Sequence, residues 1–307
     1  MNLYPEEFVR KSCIRASLLS AMIGVSALGL PAQSWDAASQ ARSWAKQDKD
    51  DSFTFHDPAT KMLHTWTRDA GVLGSLSVAK LDGPPERWVM DPRNNAWVAH
   101  GTTITQVDRG GSTVNNLKLP AEVGDVCWDA KGFVLSYRSA EPYLERRDFK
   151  GTLLWSFGSK PAKPEGPAPR NRRPIVMDDA GNVLMADGNT LNLSILDGNT
   201  GRKVSETSLL LASGQPAPAL EGSALERGPL AVWAGKGVIF AAVNAAQVPA
   251  SLRSPLQGLA LARIDFAQSR LEFLPTGLDE SHLLVGVLDS DAIFVSPRGG
   301  LMVVKIK

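Results

Sequence analysis

The sequence predicts an all-β fold, a six-bladed β-propeller of four-stranded antiparallel blades closed by strands shared between the chain termini, and three observations predict it. The first is a repeated phrase: an apolar run ending in Asp, a polar turn, a second apolar run, then a hairpin closing on Asp and Gly. Its clearest copy runs Ile175-Val176-Met177-Asp178, Asp179-Ala180-Gly181-Asn182, Val183-Leu184-Met185-Ala186-Asp187, Leu193-Ser194-Ile195-Leu196-Asp197 and Thr200-Gly201. The second is the spacing, since copies recur at a period of about 40 residues with four short strands each, the size of a propeller blade. The third is that the last copy ends at Lys305-Ile306 without a fourth strand. A ring of sheets leaves edges exposed unless the two ends of the chain share a blade, so the N-terminal segment is expected to complete it.

Taken in order, Arg10, Lys11 and Arg15 precede a run from Ala16 to Leu30 without a charged residue, and Ala32-Gln33-Ser34 supplies small residues for cleavage. Residues 1–34 therefore read as a secretory signal. The apolar run is short beside the roughly 20 residues of a spanning helix, and a retained anchor is the alternative. Residues 35–52 form the closing segment, a strand or a short capping helix, and residues 53–307 form the propeller. Blade 1 uses Ser52–His56 and Leu63–Gly71 and lacks an obvious inner strand. Blade 2 runs from Trp88-Val89-Met90-Asp91 through Ala96–His100 to Val107–Gly110, and blade 3 from Val126-Cys127-Trp128-Asp129 through Val134–Arg138 to Arg147–Gly151. Blade 4 is the copy quoted first. Blade 5 uses Pro229–Trp233, Val238–Ala242 and Leu261–Phe266, and blade 6 uses Leu283–Val287, Ala292–Ser296 and Leu301–Ile306. Because blade 1 is incomplete and blade 5 interrupted, five or seven blades stay open beside six.

The chain has 33 basic and 32 acidic residues, of which residues 1–34 hold three and two, so the mature part carries 30 of each. A balance near zero argues against nucleic acid as a partner. Cys13 lies in the signal and Cys127 in an apolar strand, which leaves the mature chain without an intrachain disulfide and Cys127 as a packed small hydrophobe. The expectation is a secreted or periplasmic protein with no membrane insertion after signal cleavage. Nothing fixes its oligomeric state.

Three segments interrupt the pattern: Gly158–Pro174 with its basic cluster Arg170-Asn171-Arg172-Arg173, the Pro-, Gly- and Ser-rich Ala212–Pro229, and Val243–Gly258. These read as loops. Connections between blades and those joining second to third strands emerge on the same face of a propeller, so all three build up one face, where function is expected.

The stretch Asp178-Asp179-Ala180-Gly181-Asn182-Val183-Leu184-Met185-Ala186-Asp187 resembles the NHL and YVTN type of propeller repeat. Asp91–Asn95 and Asp129–Gly132 keep its turn but replace the closing Asp by His100 and Arg138. The resemblance implies a fold that hosts scaffolds, ligand binders and a few enzymes, and so says little of activity. Leu196–Lys203 and Lys150–Trp155 are similar to parts of quinoprotein repeats. Lactonase-type propellers hold a divalent cation with Glu, Asn and Asp, for which Asp187 is a counterpart without the other two.

Aligned on the end of the second strand, the blades present His56, His100, Arg138, Asp187, Ala242 and Ser296. Just before the first strands stand Arg87, Asp125, Arg173, Arg227 and His282. The candidate binding set is His56, Arg87, His100, Arg138, Arg173, Asp187, Arg227 and His282, converging on a funnel in the loop-bearing face whose low-dielectric wall strengthens the field toward an anion. For each Arg taken singly, a solvated or internally paired side chain is the alternative. Asp91, Asp129 and Asp178 begin turns and are expected to accept turn amides rather than to act as acids or bases. Trp88, Trp97, Trp128, Trp155 and Trp233 fall in strands and are expected to pack between blades. The sequence has no phosphate-binding Gly loop, nucleophile elbow or Cys-x-x-Cys. The reading is an exported, non-catalytic propeller without cofactor or metal, recognising an anionic small molecule or a protein segment. The alternative is an enzyme of lactonase or quinoprotein type using a divalent cation or a quinone.

Overall fold

A computed structural model describes residues 45–47, 52–57, 59–67, 71–138, 144–158, 174–220, 231–233, 237–288, 290–296 and 301–306. The chain divides into Met1–Ala32 and Gln33–Lys307. The signal segment, Arg173 and Arg227 lie outside the described residues.

The second unit is the expected six-bladed propeller. Blade 1 is β1 (Ala45–Gln47), β2 (Phe53–Asp57), β3 (Met62–Thr67) and β4 (Gly71–Ser77), and blade 2 is β5 (Arg87–Met90), β6 (Ala96–His100), β7 (Thr103–Val107) and β8 (Thr113–Lys118). Blade 3 is β9 (Val123–Asp129), β10 (Gly132–Tyr137), β11 (Leu144–Asp148) and β12 (Leu153–Phe157), followed in blade 4 by β13 (Ile175–Met177), β14 (Val183–Ala186), β15 (Leu193–Leu196) and β16 (Lys203–Thr207). In blade 5, β18 (Ala231–Trp233), β19 (Val238–Asn244), β20 (Leu259–Asp265) and β21 (Arg270–Leu278) are joined at the outer edge by the parallel β17 (Leu210–Leu211). Blade 6 shows β22 (Leu283–Leu288), β23 (Asp291–Val295) and β24 (Leu301–Lys305).

The closing segment contributes a strand, but as the inner strand of blade 1: Ala45–Gln47 pair with Phe53–Phe55. That resolves the choice between strand and helix for these residues and supplies the inner strand blade 1 lacked in the sequence. A fourth strand for blade 6 drawn from residues 35–44 lies outside the described residues. The two ends of the chain nevertheless meet, because β22 adjoins β1 at the axis and Phe53 packs with Val285, Ile293 and Val295.

Apolar side chains of these twisted sheets pack across blade boundaries. One cluster joins blades 1, 2 and 3 through Leu63, Leu76, Trp88, Trp97 and Phe133, with the Trp97 and Phe133 rings 5.3 Å apart. Others join blades 3 to 4 around Cys127 and Trp155, 4 to 5 around Leu184 and Ile239, and 5 to 6 around Phe240 and Phe294. Cys127 is buried and unbridged, as expected.

The repeated phrase has a physical cause. In the first turn of a blade, Asp91 accepts from the amides of Arg93 and Asn95 at 2.8 Å and Asp178 from that of Asn182 at 2.8 Å, while the Asn side chain in each case donates to the other carboxylate oxygen at 2.9 Å. In the third-to-fourth-strand turn, Asp108, Asp148 and Asp197 cap in the same manner, and Gly111, Gly151 and Gly201 follow with φ of 77°, 89° and 68°. These glycines seat one blade on the next: an added Cβ would stand 2.5 Å from Leu117 at Gly151 and 2.6 Å from Trp155 at Gly201. Sequence reading identified this turn role correctly for Asp91, Asp129 and Asp178.

The insertion Val243–Gly258, expected to be plain loop, carries a turn of 3-10 helix at Ala245–Gln247 and a short helix α1 at Ala250–Arg253. Asn244 caps the first through a 2.8 Å bond to the Ala246 amide, and Arg253 pins the second by donating to the carbonyls of Val248 and Ala246. Local side-chain capping, which a Pro- and Ser-bearing stretch conceals, is the reason for the difference.

Candidate functional site

Arg87, His100 and Arg138 stand at strand ends of blades 2 and 3, and His56 of blade 1 packs against Trp88 of blade 2. Arg87 begins β5, opposite Ala99, and is buried; its Nε donates to the Gly124 carbonyl of blade 3 at 3.0 Å and its Nη1 to the Glu86 carbonyl. Two of its donors tie two inner strands together. Asp125 does the same one blade on, accepting from the Ile175 amide at 2.9 Å.

Arg138 follows β10 and lies 3.8 Å from both the Glu86 and the Glu122 carboxylates; Arg138 and Glu86 are partly buried and Glu122 is exposed. Two carboxylates beside Arg138 offset part of its field toward a further anion, since at an effective dielectric near 20 a pair of unit charges 4 Å apart interacts by about 4 kcal/mol. Sequence reading missed Glu86 and Glu122 because they precede the inner strands in the connections, where no repeat register marks them.

His100 closes β6 beneath the connection from blade 1. A Cβ on Gly83 would stand 2.0 Å from the His100 ring, so only glycine lets that connection cross, and His100 Nδ1 is buried without a hydrogen-bond partner. His56 is 5% exposed, with its ring 6.4 Å from that of Trp88, and burial pushes its pKa down to about 4 despite the neighbouring Asp57. Its Nε2 likewise lacks a partner.

His56 is not the last residue of its strand. Asp57 is, and it accepts from the Ala59 amide at 2.9 Å and from the Thr60 hydroxyl, just as Asp187 accepts from the Asn189 amide at 2.9 Å and the Thr190 hydroxyl at 3.0 Å. The Asp-x-x-Thr shared by 57–60 and 187–190 was the signal for this register. A one-residue slip turns a strand side chain to the opposite face of its sheet, which is why His56 points into the boundary with blade 2. Asp187 is an exposed turn cap. His282 precedes β22 of blade 6, its Nδ1 3.0 Å from Asp279, whose pKa is held low first by the Ser281 hydroxyl. Among the described residues no three His, Cys, Asp or Glu side chains are grouped closely enough to hold a metal ion.

No protein-family model and no curated protein matches the sequence. Solved structures do match the fold: virginiamycin B lyase from Staphylococcus aureus with TM-score 0.53 and 10% identity over 86% of this chain and 80% of that one. A streptogramin B lyase aligns with TM-score 0.51 and 9% identity over 87% and 84%, and a chain of the mitotic checkpoint complex with TM-score 0.54 and 9% identity over 87% of each. At such identities the likeness establishes the propeller and nothing of its chemistry.

Proposed function

We propose that this chain is an exported, non-catalytic binding propeller whose loop-bearing face docks a protein segment. The observation that carries the reading is the Glu86–Arg138–Glu122 grouping. It offers both charge signs at one place beside half-buried His100, a surface suited to a peptide carrying amides and mixed charges rather than to a bare anion. Arg87, buried with its donors on backbone carbonyls, is withdrawn from ligand contact, which supports the same choice over the anionic small molecule. Export rests on the order of charged, apolar and small residues in 10–34.

The test is calorimetric titration of citrate and inorganic phosphate into the purified protein and into an Arg138→Ala, Arg173→Ala, Arg227→Ala variant that keeps its thermal unfolding. The expected result is no saturable binding to either protein. Saturable binding to the wild type that the triple variant loses would overturn the reading in favour of an anion funnel.

A further inference from the structure

The opposite face, built from the short turns, holds a groove of about 670 Å³ between β3 and β4 of blade 1 and the first turns of blades 2 and 3. That volume lies within the range of small-molecule sites, roughly 300–1,000 Å³. Leu63, Leu76, Met90 and Trp128 give it an apolar lining. Gly74 leaves one wall open, since a Cβ there would meet nothing within 4 Å, and its backbone is not in the left-handed region.

The charged groups of the groove are unequal. Asp91 receives the amides of Arg93 and Asn95 on one oxygen and the side chains of Asn95 and Gln106 on the other. Asp129 receives two turn amides and is paired with buried Arg146 through both oxygens, at 2.9 and 2.8 Å. Although burial raises the Asp129 pKa, that pairing and the turn amides hold it below the ordinary value. Asp129 is thus paired with an internal cation, and Asp91 has each oxygen engaged by two internal neutral donors. Arg109 is different: its Nε donates to the Arg93 carbonyl at 2.8 Å, which fixes the head group, while its two Nη groups have no partner among the described residues. A guanidinium held at one nitrogen and open at the others is a carboxylate receptor.

We infer that this groove binds an amphipathic carboxylate, with its apolar body against Leu63, Leu76, Met90 and Trp128 and its carboxylate on Arg109. The site is on the other face from the proposed docking surface and stands or falls independently of it.

The probes are 4-phenylbutyrate, its uncharged amide 4-phenylbutyramide, and an N-acetyl-phenylalanyl-glutamate amide peptide, followed by amide and indole chemical shifts of the labelled protein. Phenylbutyrate is expected to saturate with shifts centred on Gly74, Asn94 and Trp128. Arg109→Gln should weaken it about tenfold while leaving the uncharged amide unaffected, and Gly74→Leu, which fills the groove without backbone strain, should abolish both. Tighter binding of the peptide, again dependent on Arg109, would support the carboxylate chemistry and assign its source to a protein segment. Absence of saturation, shifts centred elsewhere, or an Arg109→Gln effect equal for acid and uncharged amide would overturn the inference.

Discussion

At the scale of the residue, three positions carry measurable consequences. His56 has a pKa of about 4 in the fold against 6.5 as the ordinary value, because burial disfavours its charged form. The unfolded chain therefore binds more protons between those values, so stability falls as pH drops from about 6.5 to about 4 and the difference levels off below. The whole span is worth roughly 3 kcal/mol. Urea unfolding at pH 7 and pH 5 should show His56→Asn losing less stability on acidification than the wild type; equal losses would show that His56 is not held neutral. Arg146 is 2% exposed and joins Asp129 to the Gly198 carbonyl of the next blade, which Trp155 Nε1 also reaches at 2.9 Å. Arg146→Ala removes the cation paired with the Asp129 carboxylate and one of the two donors to the Gly198 carbonyl, and a loss of about 3 kcal/mol is expected in denaturant unfolding. Gly201→Ala meets both a positive φ and the Trp155 ring, and a loss of about 2 kcal/mol or more follows from strain and overlap together.

At the scale of the element, the strands most legible in the sequence were those whose turns carry their own chemistry. β5 to β7 and β13 to β15 begin and end at Asp-capped turns whose side chains name their partners in advance, so their limits could be read to within a residue or two. β1 and β17 were illegible because each is a strand of two or three residues with no pattern of its own, and each exists only because an edge of blade 1 or blade 5 is available to it. β21 was missed for another reason: Arg270–Leu278 alternates weakly and contains Pro275 and Gly277, which suit an outer strand and hide its period. The site was half legible. Repeat register found the strand ends of Arg87, His100 and Arg138 but was one residue off at His56, and Arg138's partners Glu86 and Glu122 lie in irregular connections that no register marks. One test belongs to this scale. β24 is paired with β23, and Ile306 after it is buried with the blade 5 and 6 core. Deleting residues 301–307 should give insoluble or molten protein; a soluble product with unchanged thermal unfolding would show that this strand does not close the ring.

At the scale of the molecule, the ring separates two kinds of surface. One face is made of Asp-capped turns that recur from blade to blade, and the other of connections that differ in every blade, so the same scaffold can hold a fixed frame and a variable docking surface. Among the described residues no helix is long and apolar enough to cross a membrane, and protein recovered from outside the cytoplasm should begin at Trp35 or within a few residues of it by mass spectrometry. An intact Met1 in a membrane fraction would favour a retained anchor. The central claim, that the loop-bearing face docks a protein segment, is met most directly by photo-crosslinking in the producing cell. Photoreactive residues would replace Thr102 and Pro120 on that face and Thr200 and Gln268 on the turn face, away from the groove. The account predicts one discrete protein adduct from Thr102 and Pro120, reduced by Arg138→Ala, and none from Thr200 or Gln268. Adducts of equal yield from both faces, or none from Thr102 and Pro120, would contradict it.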